Sequence, residues 1–197
     1  MPLSAAQYFP QTAAIRRPLF GWLIVTVGTL FVVSLILAAP LLAADGHTTA
    51  AQNIYHSFSF VCHQIPERSF FINGHKLAVC SRCTGIYFGA MLMLLLYPLV
   101  RSLRLVHTPP RKWLIAAAIP LVIDFLLTFL GIWENTHTTR FVTGFILSSV
   151  VVFYVMPGVV ELSLRKRGTS SAREIATGVT KPIPVGPSDY SAPERRI

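Results

Sequence analysis

The most reactive side chains lie in one segment, where Cys62-His63 precedes the C-x-x-C motif of Cys80 and Cys83. Zinc prefers thiolate sulfur and imidazole nitrogen in tetrahedral sites, and three cysteines with one histidine complete a Cys₃His ligand set. These four residues are therefore predicted to bind a metal, with zinc as the first candidate ion and iron as the second. His75 is the alternative nitrogen donor, because adjacent residues can both ligate one ion only through an unusual backbone turn.

A predicted β-hairpin explains how ligands far apart in sequence can meet. Asn73-Gly74 is the strongest type of two-residue hairpin turn signal. A hairpin folded at this turn pairs Ile72 with His75 and returns the C-x-x-C motif to the neighbourhood of Cys62. Before that cysteine, apolar residues at positions 54, 58 and 61 recur at helical spacing and predict a short amphipathic helix lying on the membrane.

The same cysteines also allow a redox interpretation, because the thiolate is the reactive form in dithiol exchange as well as in metal binding. The C-x-x-C motif stands at the start of a predicted helix, whose dipole favours thiolate there. An oxidising exterior favours a disulfide, either between Cys80 and Cys83 or between Cys62 and one of them, with one thiol left free. Metal binding, a disulfide and inert buried thiols all remain open at this point.

A second group of polar residues falls in and after the third apolar segment. Asp124 lies at the centre of that segment, where an ionisable group costs at least about 2.5–3.5 kcal/mol and should face a partner or a wet cavity. Glu134 and Arg140 fill the short turn that follows. Asp124, Glu134 and Arg140 are the candidate catalytic residues, with either acid as the base for a metal-bound water. The structural alternatives are a helix-packing hydrogen bond at Asp124 and an ion pair between Glu134 and Arg140.

Four apolar segments define the fold class, and they cover residues 19–43, 84–100, 113–133 and 141–160. Segments of this length can cross a hydrocarbon core of about 30 Å. An apolar fraction of 53% with only 13% charged residues excludes a disordered chain, a coiled coil and an ordinary soluble domain. We predict an all-α membrane protein, a four-transmembrane-helix bundle with an exterior Cys/His loop over residues 44–83. The first segment exceeds the hydrophobic region of a signal peptide, which favours an uncleaved span.

The basic residues determine the predicted direction of the spans. The net charge is +9. Nine basic residues lie before the first span, between the second and third spans, or after the fourth span. The other two connections contain four. This bias predicts a plasma (inner) membrane protein with both termini cytoplasmic and the Cys/His loop extracytoplasmic. Residues 1–18 form the predicted cytoplasmic N-terminus and residues 161–197 a disordered tail. The charge thus reflects topology in a lipid bilayer and indicates no nucleic-acid partner.

The sequence around the cysteines resembles a family of small prokaryotic membrane proteins catalogued as a domain of unknown function, family 2085. The resemblance covers roughly residues 50–155. It implies a multi-pass fold with a shared polar site and implies no reaction. The residues that carry it are Cys62-His63-Gln64, Pro66-Glu67-Arg68-Ser69-Phe70, Val79-Cys80-x-Arg82-Cys83-Thr84-Gly85-Ile86-Tyr87, Asp124, Glu134-Asn135, Arg140 and Thr143-Gly144.

Three functions are consistent with these patterns. The first is a membrane metalloprotein with an extracytoplasmic zinc site, either structural or hydrolytic. The second is a thiol-disulfide oxidoreductase that uses Cys80 and Cys83 with Cys62 and passes electrons to a membrane quinone. It ranks lower because the chain lacks the second cysteine pair that such enzymes commonly use as a relay. The third is an accessory subunit of a larger membrane complex, bound to another membrane protein or to a second copy of this chain. Whether the protein is an enzyme stays open.

Overall fold

The computed structural model of the protein describes residues 16–103 and 107–165, which form five α helices and one small hairpin. The helices are α1 (Arg16–Ala44), α2 (Thr48–Ser59), α3 (Ser81–Val100), α4 (Lys112–Phe129) and α5 (His137–Arg165). The strands are β1 (Phe71–Ile72) and β2 (His75–Lys76), preceded by a 3₁₀ turn at Pro66–Arg68. Helix α5 includes residues 161–165 of the predicted tail. The rest of that tail and residues 1–15 lie outside the described residues.

Four helices are long and apolar enough to cross a membrane, which confirms the predicted four-helix architecture. Their apolar stretches are Pro18–Ala44, Ser81–Val100, Lys112–Phe129 and His137–Ser163. Only 6% of the stretch in α4 is buried within the protein, and at most 28% in the others. Apolar surface of this extent is compatible with lipid as the surrounding medium and not with water.

Helix α4 is shorter than the predicted span of residues 113–133. Gly131 has a φ of 68°, and its N–H donates to the Thr128 carbonyl over 3.1 Å. The Ile132 N–H donates to the Leu127 carbonyl over 3.0 Å. Together these bonds form a Schellman motif, which ends a helix at a glycine in the left-handed region. Asp124 therefore lies five residues before the helix end and not at the centre of a span.

Contacts between helix ends show how the long helices run. Near the start of α1, the Trp22 indole N–H donates to the Leu94 carbonyl, close to the end of α3, over 2.8 Å. These two helices are therefore antiparallel. Ser81 and His137, the first residues of α3 and α5, are joined by a hydrogen bond of 2.9 Å, so these helices start at the same end of the bundle. That end also carries the cysteines and is called the cysteine end below.

Helices α3 and α5 come into backbone contact through small residues. Gly85 lies against the Phe141 backbone so closely that a Cβ atom would overlap the Phe141 carbonyl. Gly89, one turn later, faces α5 in the same way. From the other side, a Cβ on Gly144 would stand 2.5 Å from the Arg82 carbonyl oxygen. Small residues four positions apart allow helices to approach this closely in membranes.

Two apolar clusters hold the ends of the bundle. The cluster at the cysteine end joins α1, α2 and the loop, and its buried residues are Ile36, Ala39, Phe58, Cys62, Leu77, Ala78 and Val79. The cluster at the opposite end joins α3 and α5 through Leu94, Tyr97, Val152 and Met156. Burying a large aliphatic or aromatic side chain contributes about 1.5–3 kcal/mol. The first cluster therefore fixes the loop on α1 immediately before the C-x-x-C motif.

The loop between α2 and α3 contains the predicted hairpin in the predicted register. Strands β1 and β2 are antiparallel, and Ile72 pairs with His75. Asn73 and Gly74 have φ angles of 50° and 79°, as a type I′ turn requires at both central positions. The hairpin reverses the chain and leads it through the buried residues 77–79 to Cys80.

Candidate metal centre

The three cysteines come together at the cysteine end. The Sγ atoms of Cys62, Cys80 and Cys83 all lie within 4.8 Å of one another. All three are free thiols, with Cys62 buried and the other two half-buried. Zinc–sulfur bonds of about 2.3 Å in a tetrahedral site separate the sulfur atoms by about 3.8 Å. Small side-chain rotations would bring these thiols to that separation, so they offer three of the four ligands of such a site.

Cys80 and Cys83 reach the cluster because α3 begins between them. Cys80 has an extended backbone, with φ −68° and ψ 163°, and immediately precedes the helix, while Cys83 lies in its first turn. The Cys80 N–H donates to the Cys62 Sγ over 3.2 Å. Hydrogen bonding with the Cys62 thiol, and next with the Cys83 thiol, lowers the pKa of the Cys80 thiol well below its ordinary value. The helix dipole acts in the same direction and favours the thiolate that a metal binds.

Cys62 is positioned by the last turn of α2 and by Gln64. The Cys62 N–H donates to the Phe58 carbonyl over 2.9 Å. Gln64 is buried and has a φ of 50°, so the chain turns sharply just after the Cys-His pair. The Gln64 Nε2 donates to the Tyr55 carbonyl over 2.6 Å, and the Gln64 carbonyl accepts a bond from Lys76 Nζ over 2.8 Å. Gln64 therefore ties the cysteine segment to α2 on one side and to the hairpin on the other.

Replacing the Gln64 side chain should loosen the cluster of the three thiols. Gln64→Ala removes the bond to the Tyr55 carbonyl in a buried place, and we expect a loss of stability of about 1–3 kcal/mol. The expected readouts are a lower melting temperature and faster alkylation of Cys62 in the metal-free protein. Gln52→Ala, at an exposed position of α2, is the matched control and should change neither. Equal alkylation rates in the two variants would show that Gln64 does not position the cysteine.

Neither predicted histidine ligand joins the three thiols in the structure. Within the described residues, the potential ligands that cluster with one another are the cysteines alone. The side chains of His63 and His75 are both exposed. The three thiols are therefore the potential ligands that the structure brings together.

Asp124 is paired with Arg82, a partner that sequence reasoning did not assign to it. The Asp124 Oδ2 lies 2.6 Å from the Arg82 Nη2, and their side chains are only 9% and 24% exposed. The Asn135 Nδ2 donates to the Asp124 backbone carbonyl over 2.8 Å, which fastens the turn after α4 to that helix. Because Arg82 lies between Cys80 and Cys83, the ion pair connects α4 directly to the segment that carries two of the clustered thiols.

The other two candidate catalytic residues, Glu134 and Arg140, are not part of the thiol cluster. Glu134 is exposed, and within the described part of the chain it forms no ion pair with Arg140. Arg140 is half-buried in the first turn of α5, and its buried Nε has no hydrogen-bond partner in residues 16–103 and 107–165. The structure therefore does not contain the Glu134–Arg140 ion pair that the sequence offered as an alternative.

Sequence reasoning missed a short polar chain that connects the loop, α3 and α5. The Ser81 hydroxyl donates to the Arg68 carbonyl over 2.8 Å and is bonded to the His137 Nδ1 over 2.9 Å. A hydroxyl has one proton to donate, so His137 is the donor in the second bond. The sequence shows that Ser81 lies within the C-x-x-C motif, which marks it as a candidate site residue. Its hydrogen-bond partners could not be predicted, because they are far away in sequence.

The fold and the site define an all-α membrane protein with three cysteines clustered at one end of its helix bundle. A family model described as predicted membrane protein, DUF2085, matches residues 62–154, from the first cysteine into α5. An uncharacterized protein of Methanocaldococcus jannaschii is 39% identical over 150 residues, which are 74% of this chain and 96% of that protein. An uncharacterized protein of Methanothermobacter thermautotrophicus is 39% identical over 87 residues, or 44% of this chain and 77% of that protein.

The chain belongs to this DUF2085 family of predicted membrane proteins, as the cysteine motif indicated. No solved structure matches it. The matched region contains all three cysteines, Arg82, Asp124 and Arg140, so the family model covers both the thiol cluster and the ion pair.

Proposed function

We propose that this protein is a membrane metalloprotein that binds one zinc ion at Cys62, Cys80 and Cys83. The observation that carries the proposal is the convergence of the three Sγ atoms within 4.8 Å of one another. Soft thiolate ligands select zinc or iron over the hard cations magnesium and calcium. Zinc is favoured because it commonly combines three cysteines with one histidine. His63 is the proposed fourth ligand and His75 the alternative.

The proposed role of the ion is structural. A site with four protein ligands is closed, and it would hold the end of α2, the hairpin and the start of α3 together. A hydrolytic site needs an open coordination position and a free base near the metal-bound water. The Asp124 carboxylate is engaged by Arg82, and Glu134 is exposed. These placements favour a structural ion over the hydrolytic use of Asp124, Glu134 and Arg140.

The proposed setting is the plasma membrane, with the cysteine end outside the cytoplasm. The connection at the opposite end of the bundle carries Arg101, Arg111 and Lys112, close to the ends of α3 and α4. Basic residues of short connections remain on the cytoplasmic side. The proposal therefore places both termini in the cytoplasm and the metal in the more oxidising compartment, where a bound ion also protects thiols from oxidation.

Substituting the ligands tests the metal proposal. Cys80→Ser should reduce bound zinc from about one ion per chain to near zero and lower the melting temperature, because a structural site contributes its binding energy to folding. His63→Ala should weaken zinc binding about 100-fold if this histidine ligates, and His75→Ala should do so if the alternative holds. His47→Ala, at an exposed position before α2, is the matched control. Full zinc retention by Cys80→Ser would contradict the proposal.

A second candidate function, a thiol-disulfide oxidoreductase, is favoured by the three adjacent free thiols and the lowered pKa of Cys80. In this reaction two cysteines form a disulfide, and two electrons and two protons pass to a quinone in the membrane. Purified protein with no metal, one disulfide and one free thiol would favour this function. Purified protein that contains zinc and no disulfide would exclude a thiol-disulfide oxidoreductase as the resting form of the protein.

A further inference from the structure

Three arginines lie at the cysteine end, and within the described residues one of them forms an ion pair. Arg68, Arg82 and Arg140 come from the 3₁₀ turn, the start of α3 and the start of α5. The Arg140 guanidinium group is close enough to Arg68, Arg82 and Asp124 for their charges to act on it. Within the described residues, Asp124 is the acid that forms an ion pair in this group. One of the three guanidinium groups is therefore paired with a carboxylate in the described residues.

The backbone holds these arginines together. The Ser81 hydroxyl donates to the Arg68 carbonyl over 2.8 Å, so the residue before Arg82 is bonded directly to Arg68. The Arg82 carbonyl is in contact with Gly144, which lies one helical turn after Arg140. A hydrogen bond and a close helix–helix contact therefore hold the backbone segments of the three arginines near one another.

Two of the guanidinium groups have buried donors that lack a partner among the described residues. These donors are the Nε atoms of Arg82 and Arg140. Arg82 uses its Nη2 for Asp124, while its Nε has no acceptor among the described residues. A buried charged donor that lacks an acceptor is more costly than an ordinary unmade hydrogen bond. These two donors indicate that an external acceptor belongs in this place.

We propose that Arg68, Arg82 and Arg140 form a binding site for a phosphate group. The planar guanidinium group donates two parallel hydrogen bonds to a pair of phosphate oxygens, and several such groups can surround one tetrahedral anion. A carboxylate offers only two oxygens, and Asp124 already supplies one carboxylate to this cluster. The phosphate belongs either to a phospholipid headgroup at the level of the helix ends or to a small water-soluble phosphate.

Binding to lipid-stripped, full-length protein in detergent tests the site. Inorganic phosphate is titrated by calorimetry, and phosphatidylglycerol is compared by native mass spectrometry with diacylglycerol of the same acyl chains, which lacks the phosphate. We expect Arg140→Gln and Arg68→Gln each to weaken phosphate binding about tenfold or more. Arg111→Gln, an exposed basic residue at the opposite end of the bundle, is the matched control and should bind as the wild type does.

The binding results distinguish a small phosphate from a lipid headgroup as the ligand. Binding of inorganic phosphate that the two variants weaken supports the site with a small phosphate as ligand. Retention of phosphatidylglycerol alone, lost in the same variants, supports it with a lipid headgroup. No binding of either probe, or equal binding by both variants and the wild type, overturns the proposal. Because Arg68 is exposed, Arg68→Gln remains informative where Arg140→Gln fails to fold. Zinc content measured on the same samples keeps failure of this site separate from failure of the metal site.

Discussion

Gly85→Leu is expected to separate α3 from α5 and to destabilise the whole cysteine end. A Cβ atom at this position would overlap the Phe141 carbonyl, and its neighbours there are backbone atoms that cannot rotate away. Adding atoms to a tightly packed contact typically costs about 1–3 kcal/mol and occasionally more, and we expect the upper part of that range. Thermal unfolding of detergent-purified protein measures the effect. Zinc retention should fall in parallel, because Cys83 lies only two residues before Gly85.

The control for this substitution lies in α1. Gly28 is also in the middle of an apolar helix, but no atom lies within 4 Å of the place where its Cβ would stand. Gly28→Leu adds the same apolar bulk to a membrane helix and should leave stability and zinc content unchanged. A melting temperature for Gly85→Leu equal to that of Gly28→Leu would show that close contact between α3 and α5 does not support the fold.

Asp124→Leu should produce the second large effect, because it leaves the Arg82 guanidinium without its counter-charge between apolar helices. Removing one partner of a fully buried ion pair costs about 3–5 kcal/mol. Arg82 is 24% exposed, so solvent screening reduces the expected loss to about 2 kcal/mol. The contact between α4 and the thiol cluster should weaken as well, which predicts faster alkylation of Cys83 in metal-free protein.

A double-mutant cycle separates the ion pair from other effects of the substitution. Arg82→Met with Asp124→Leu removes both charges, and we expect it to be more stable than Asp124→Leu alone. Glu134→Leu removes an exposed carboxylate near the same helix end and should change stability by no more than about 0.5 kcal/mol. Additive losses from the two single substitutions would contradict a direct interaction between Arg82 and Asp124.

Features set by local chemistry could be predicted from the sequence. The hairpin register follows from Asn73-Gly74, because the positive φ angles of a type I′ turn suit these two residues. The four apolar helices follow from segment length and composition. The end of α4 also has a local signal: Gly131 terminates the helix, but the apolar residues around it favoured a longer span.

Features that depend on distant residues could not be predicted in the same way. The partner of Asp124 is 42 positions away in sequence, and the bond between Ser81 and His137 spans 56 positions. Nothing in the local pattern around Asp124 distinguishes Arg82 from Arg140 as its partner. Likewise, the spacing in the sequence predicts that the histidines lie as close to the cysteines as the cysteines lie to one another. In the structure, the burial of the side chains distinguishes Cys62 from the histidines. Cys62 lies in the apolar cluster, and His63 is exposed.

The most direct test of the proposed metal centre is the elemental composition of gently purified, full-length protein, combined with a count of free thiols on the same sample. We expect about one zinc ion per chain and no disulfide. The three thiols should be slow to react with an alkylating reagent and should become reactive after a strong chelator removes the metal. Protein without metal and with a single free thiol per chain would mean that two of the three cysteines are joined, and it would contradict the metal centre.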